Sequence, residues 1–460
     1  MGSMSNLQLL ALGRNHLTGV IPSDIGNATS LKVLGLKSNH LGGKLPATIS
    51  YLINLVVLLL SGNKFTGMIP NVPGESKSVF CHLTHLQLLD VSNNQLFGDF
   101  PRCLWKLKDL QSLDLSGNAF SGEVPTSTNC SSSLTSLHLS KNNFTGSFPA
   151  VLQNFKSLII LDLGNNNICG TLPPWIGESN PLLRILGLRS NMFYGSIPWQ
   201  LSQLSHLQLI VLAENKFVGT IPESFVNFSF MRQTSMMQPV LILSTDYVYS
   251  TYFENGHMDL IWKGREYTFE GTYAFVTGID LSGNSLMGEI PSELTNLSGI
   301  QLLNLSRNYL SGRIPKDISN LKLLESLDFS WNKLSGHIPP TISKLVFLNT
   351  LNLSNNILSG EIPTGSQLQT LNDPSVYSNN LGLCGPPLGI ACTKKSSIAA
   401  VDGAKEHHQD LWLYYSVIAG VVFGFWVWFG ALFVCKVWRF AFISCIDAMH
   451  QQFMQKMKST

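Results

Sequence analysis

Five carboxylates recur at one place in one phrase: Asp90, Asp114, Asp162, Asp280 and Asp328 each stand between two apolar residues. Carboxylates held side by side can divide the work of general acid and general base. Nothing else in the sequence completes such a site. There is no G-x-x-x-x-G-K-[ST] phosphate loop, no G-x-S-x-G nucleophile turn and no H-E-x-x-H zinc helix. His407 and His408 adjoin in a polar stretch and are weak bait for a metal; no metal and no cofactor is expected. The aspartates come with the phrase, so they predict an acidic stripe along one face. The chain is expected not to be an enzyme.

Charged residues make up 13% of the 460, about half of the roughly 25% usual in soluble domains. Thirty Lys and Arg against 28 Asp and Glu leave a net charge of +2, so there is no general attraction to nucleic acid.

The elements that must position these residues are repeats. "LDLSGNAFSGEVP" (113–125) returns as "IDLSGNSLMGEIP" (279–291) and "LDFSWNKLSGHIP" (327–339). Aligning the phrase numbers thirteen repeats by one asparagine each: Asn15, Asn39, Asn63, Asn94, Asn118, Asn142, Asn166, Asn191, Asn215, Asn284, Asn308, Asn332 and Asn356. Nine of the twelve gaps are 24 residues, and the others are 25, 31 and 69. This period with L-x-x-L-x-L-x-x-N is the leucine-rich-repeat signature. Leu113 and Leu115 alternate with Asp114, which is strand periodicity with the leucines inward. The asparagine then turns the chain inward. A buried amide must have its donors and acceptors met, so one Asn per repeat predicts a hydrogen-bonded ladder. Parallel strands at about 4.8 Å spacing predict a curved sheet roughly 60 Å long, and no single repeat buries its leucines alone. Each repeat also carries Gly-x-x-Pro, as at Gly122 and Pro125, which punctuates a turn.

Residues 231–275 break the period. This insert has nine aromatic residues and no cysteine. It reads either as a loop packed back on the repeats or as a ligand-contacting segment, since long inserts in repeat proteins tend to lie at binding faces. Cys384 and Cys392 lie in a Gly/Pro-rich stretch where the repeats end. A terminal repeat needs a cap, and a disulfide between these two would hold one in an oxidising compartment. Cys81, Cys103 and Cys130 receive no assigned pairing, and Cys169 reads as a buried thiol.

Asp410 and Lys436 bracket 25 uncharged residues. At about 1.5 Å per residue these make roughly 37 Å of helix, enough to span a bilayer core. A transmembrane helix is therefore expected over 411–435. Lys436, Arg439, Lys456 and Lys458 in the tail place residues 436–460 in the cytosol and the repeats outside. Ser416, Gly420 and Gly424 form a small-residue stripe for helix–helix packing. Seven N-x-S/T sequons are candidate glycosylation sites: Asn27, Asn129, Asn143, Asn227, Asn296, Asn304 and Asn352. Asn304 and Asn352 fall at outward strand positions, so a glycan on the concave sheet is expected there. The chain opens inside a repeat, without signal peptide or N-terminal cap, which reads as an N-terminal truncation.

The L-x-G-x-I-P form, the segment "LIWKGREYTF" ahead of four more repeats, and "NLGLCGPPLGIAC" (380–392) resemble the plant-specific extracellular class of these repeats. The run from 303 to 370 resembles the kinase-less receptor-like proteins, a group that includes tomato receptors for secreted fungal proteins and for fungal xylanase. The resemblance implies a leucine-rich-repeat solenoid with a parallel concave sheet, a second short strand per repeat and a superhelical twist. It implies nine repeats over 1–230, an island over 231–275, four repeats over 276–370 and a cap over 371–392. A linker over 393–410, the helix over 411–435 and the tail over 436–460 follow. It further implies a plasma-membrane glycoprotein that binds an extracellular, microbial protein or peptide and signals in defence through a single-pass receptor-kinase adaptor and a co-receptor. The alternatives are a developmental peptide co-receptor, a non-signalling truncated paralogue, or a secreted-type inhibitor of microbial wall-degrading enzymes.

Overall fold

The computed structural model describes residues 5–126, 133–234, 257–263, 265–270 and 276–392. Thirteen strands, from Leu9–Ala11 to Thr350–Asn352, form one parallel sheet in sequence order. Leu113 pairs with Leu89 on one side and Leu137 on the other. The inward leucines of the phrase, such as Leu113, Leu115, Leu303 and Leu305, are buried in a core that runs through every repeat. The strand Leu209–Val211 pairs directly with Gly278–Asp280, so the sheet passes the insert without a gap.

The asparagines stitch neighbouring repeats. Asn118 Nδ2 donates to the carbonyls of Val91 in the preceding repeat and of Leu115 and Ser116 in its own, at 3.0–3.2 Å. Its Oδ1 accepts from the Leu96 amide at 3.0 Å. Asn380, in the cap, adds a fourteenth rung: its Nδ2 reaches the Leu353, Tyr377 and Ser378 carbonyls and its Oδ1 accepts from Leu358. The residue just before each of the fourteen asparagines has positive φ, yet only Gly62, Gly117 and Gly283 are glycine there. The ladder holds the left-handed turn and overrides the ordinary preference for glycine.

Second strands line one flank in sheets of six, five and three. Most repeats then turn through Pro into a short 3-10 helix, as at Ala150–Asn154 and Ser292–Asn296. Pro suits this entry because it pre-sets φ and has no N–H to leave unpaired.

Cys384 and Cys392 are joined, and so are Cys81 and Cys103, which couple the 3-10 helices Val79–His82 and Arg102–Lys106 of successive repeats. Cys169 is not a buried thiol: it is exposed on a second strand, its Sγ 3.3 Å from the Gly146 carbonyl. Outward residues of these short strands are not covered by the next repeat, which is why the position is wet. Non-reducing peptide mapping is expected to recover the 81–103 and 384–392 pairs, with Cys169 open to alkylation. Reduction should cost the Cys81–Cys103 region about 3 kcal/mol, the loop-closure value for a loop of this size.

The expectation of a transmembrane helix is corrected. Among the described residues no helix is long and apolar enough to cross a membrane. Among the described residues the fold class is the repeat solenoid, and single-pass plasma-membrane topology is withdrawn with the helix. Residues 411–435, with Ser416, Gly420 and Gly424, and also His407 and His408, lie outside the described residues, as does Asn129.

Candidate functional site on the concave face

The outward strand residues build the concave face, and its aspartates are not a solvated acidic stripe. Asp90, Asp114, Asp162 and Asp280 are buried. Asp280 Oδ1 accepts from the amide and the hydroxyl of Ser282 at 3.1 and 2.6 Å. Asp90 does the same with Ser92, and Asp328 with Ser330. The carboxylates lock the turn that follows each strand. Burial pushes the Asp280 carboxyl up to about 6, against the hydrogen bonds from Ser282. Burial, with Asp114 alongside, puts Asp90 at about 6 as well. Asp328 is raised, again chiefly by burial.

Asn304 and Asn352 take the same role, with Oδ1 accepting from Ser306 and Ser354. The sequon serines are thus committed to their own asparagines. Asn304 is 3% exposed, so the expected glycan on the concave sheet has no room there. Asn352 is half-buried, whereas Asn27, Asn143, Asn227 and Asn296 are exposed.

Toward the middle of the face the outward positions turn apolar. Ile160, Ile185, Leu209, Val211 and Leu302 form a cluster separate from the main core, and Trp262 packs on it. Trp262 comes from the insert, where His257–Trp262 and Arg265–Glu270 make an antiparallel hairpin. Its turn residue Lys263 has positive φ and lays its ammonium 3.0 Å from Glu325 of repeat 12. Glu325 also accepts from Gln301, whose own Oε1 accepts from the Thr277 amide. The insert is therefore tied by an apolar contact that reaches back to the repeats before it and by an ionic contact to a repeat after it. The pair is about one-third exposed on the lysine, so it orients the hairpin more than it stabilises it.

Beyond this clamp the face opens into a cavity of about 550 Å³ over repeats 11–13, closed by the cap segment Pro374–Tyr377. Its lining is mostly amide, hydroxyl and carboxyl: Asn304, Ser326, Asp328, Thr350, Asn352 and Asp373, with Leu302, Leu351 and Val376 as the apolar parts. Such a surface offers both donors and acceptors, which suits a peptide backbone with polar side chains. The repeat period did locate its strand residues, but Asp373 and Val376 lie in the cap, where no repeat phrase announces them. Among the described residues no three His, Cys, Asp or Glu converge as a metal site.

Leucine rich repeat family models match residues 76–120 and 6–28, 54–75, 133–155, 157–179, 276–297, 299–321, 323–345 and 347–368. Receptor-like protein EIX2 of Solanum lycopersicum is 49% identical over 232 residues, 48% of this chain and 23% of that protein. Among solved structures, the plant peptide hormone receptor RGFR1 in complex with RGF2 superposes with a TM-score of 0.64 at 30% identity, over 83% of this chain and 56% of that one. A leucine-rich-repeat protein of Leptospira interrogans gives 0.51 at 26% identity, over 78% of this chain and 86% of its own. The chain spans under a quarter of EIX2 and a little over half of RGFR1.

Proposed function

Since this chain is a leucine-rich-repeat ectodomain of the plant receptor-like kind, we propose that it binds an extracellular peptide or protein on its concave face and acts through a partner receptor kinase. The observation that carries this reading is the polar cavity over repeats 11–13, placed between the hairpin clamp at Glu325 and the cap. A ligand lying there meets the cap at Asp373 and Val376, and Ser326, next to the clamped Glu325, within the lining. The repeats themselves are non-catalytic, so the bound state is transmitted by association, with ligand and solenoid together offering the surface that a co-receptor kinase reads. RGFR1, solved with RGF2, is a peptide hormone receptor, which supports a peptide ligand. The 49% identity to receptor-like protein EIX2 supports the receptor-like side of the reading.

The test is panning the full chain against a displayed library of extended peptides. Enriched peptides are expected to lose at least tenfold in affinity for Asp328→Arg, whose guanidinium fills the cavity, and several-fold for Trp262→Ala, which frees the hairpin. Peptides that bind both variants like the parent would place the ligand elsewhere. A co-receptor kinase ectodomain should co-precipitate only with the peptide present.

A further inference from the structure

The flank of the solenoid carries a second groove, away from the concave face. It runs along the Ile-Pro bends of repeats 9–12 with Trp199 of repeat 8 at one end, and holds about 1110 Å³. Its floor is buried Ile221, Ile290 and Ile314, each followed by a proline. Proline has no N–H to donate, so this floor recognises by shape and apolar contact. Recognition through charge falls to the two ridges.

The ridges are segregated by sign. In repeats 9 and 10 they carry Glu223, Glu289 and Glu293; in repeat 11 they carry Arg313 and Lys316. No two of these five form an ion pair with each other, and the ion pairs of the described residues lie elsewhere. Glu293 accepts one hydrogen bond, from Ser292. His337, next along, is committed to the Ser359 carbonyl at 2.9 Å. Neighbouring repeats stand about 4.8 Å apart, so the groove from Trp199 to repeat 12 is roughly 19 Å long, the length of about six extended residues at about 3.3 Å each. The lining holds no asparagine, so no sequon asparagine lies in the groove itself.

We propose that this groove docks an extended segment of a partner protein that is cationic at one end, anionic at the other and apolar between. The cationic end lies over Glu223, Glu289 and Glu293, the apolar middle on the Ile-Pro floor, and the anionic end over Arg313 and Lys316. Like charges set against either half repel, so the same pattern excludes a segment lying with its charged ends exchanged.

The probes are the acetylated, amidated peptide Lys-Lys-Pro-Val-Pro-Glu-Glu, its reversed order, and an analogue with Gln at all four charged positions, titrated by fluorescence anisotropy against the full chain. One of the two charged orders is expected to bind at least tenfold more tightly than the Gln analogue, and to weaken several-fold when salt is raised from 50 to 200 mM (roughly 14 to 7 Å of screening length). Arg313→Glu with Lys316→Glu should weaken that peptide at least tenfold and strengthen one in which Lys replaces both Glu. Glu289→Lys with Glu293→Lys should give the mirror result, strengthening the peptide in which Glu replaces both Lys. Asp328→Arg on the concave face should change none of these. Equal binding of the charged and Gln peptides, charge reversal without effect on either side, or binding of an acidic oligosaccharide where neither peptide binds would overturn the assignment.

Discussion

Replacing Asn284 with alanine is expected to split the unfolding of the solenoid into two transitions, with repeats 10–13 melting first. Asn284 is the rung that closes the ladder over the insert. Its Nδ2 donates to the Leu212 carbonyl at 3.0 Å and its Oδ1 accepts from the Phe217 amide at 3.0 Å, both across the insert. The carbonyls keep other donors after the change: Leu212 retains Asn215, Leu281 retains Asn308, and Ser282 retains the Glu214 amide. The Phe217 amide loses this acceptor beside a fully buried ring. One orphaned buried donor, with the small void left by the amide, costs about 2–4 kcal/mol. In a stacked array that loss falls on a single interface between nearest neighbours. At this interface the chain must also close a long loop, which adds entropy to the cost of re-forming it. Asn308→Ala removes the same bonds one repeat later, where 27 and 22 residues separate the partners; it should lower the midpoint and keep one transition. Urea titrations followed by circular dichroism separate the two outcomes. A single unshifted transition for Asn284→Ala would show that backbone pairing alone joins the halves.

The second large effect is in pH. The folded Asp280 carboxyl lies near 6, while an unfolded one ionises near 3.9. Its folded pKa is raised, so the native state prefers the protonated acid. Its contribution is therefore fully present below about pH 4 and is lost as pH rises through 6. Asp90 acts in the same direction over the same window, and Asp328 in the same direction. For Asp280 alone the swing is about 3 kcal/mol at most. Its Oδ2 is buried without a hydrogen-bond partner, the physical source of the penalty once it ionises. Asp280→Asn should remove that swing and make the protein about 1–3 kcal/mol more stable at pH 7. The amide fits because Asn304 and Asn352 already hold the same serine bonds in repeats 11 and 13. Urea midpoints at pH 4.5 and 7 should lie closer together in the variant than in the parent, the remaining gap being that of Asp90 and Asp328. Equal slopes would mean that the carboxylate is solvated in the folded protein.

The sequence by itself determined the parts whose cause is local and repeated. A 24-residue period with leucines two apart and one asparagine fixes strand, turn and ladder, because each repeat solves the same burial problem against an identical neighbour. The sequence also lacks the phosphate loop, the G-x-S-x-G turn and the H-E-x-x-H helix. The ladder's last rung, Asn380, escaped because the cap contributes its turn through Tyr377-Ser378-Asn379 without the leucine phrase. Cys81 and Cys103 lie 22 residues apart in sequence, and only stacking of the two 3-10 helices makes them neighbours. The aspartates read as a surface stripe, since alternation shows that they point outward but not that they fold back on the Ser two residues on and lose water. The same holds for the hairpin on Ile185 and Leu209 and for the sign-segregated flank groove. In a solenoid, residues about 24 apart in the chain stand about 4.8 Å apart in space. Period alone therefore gives the scaffold, whereas what a ligand meets is set by how non-equivalent side chains of adjacent repeats bury, pair or repel one another.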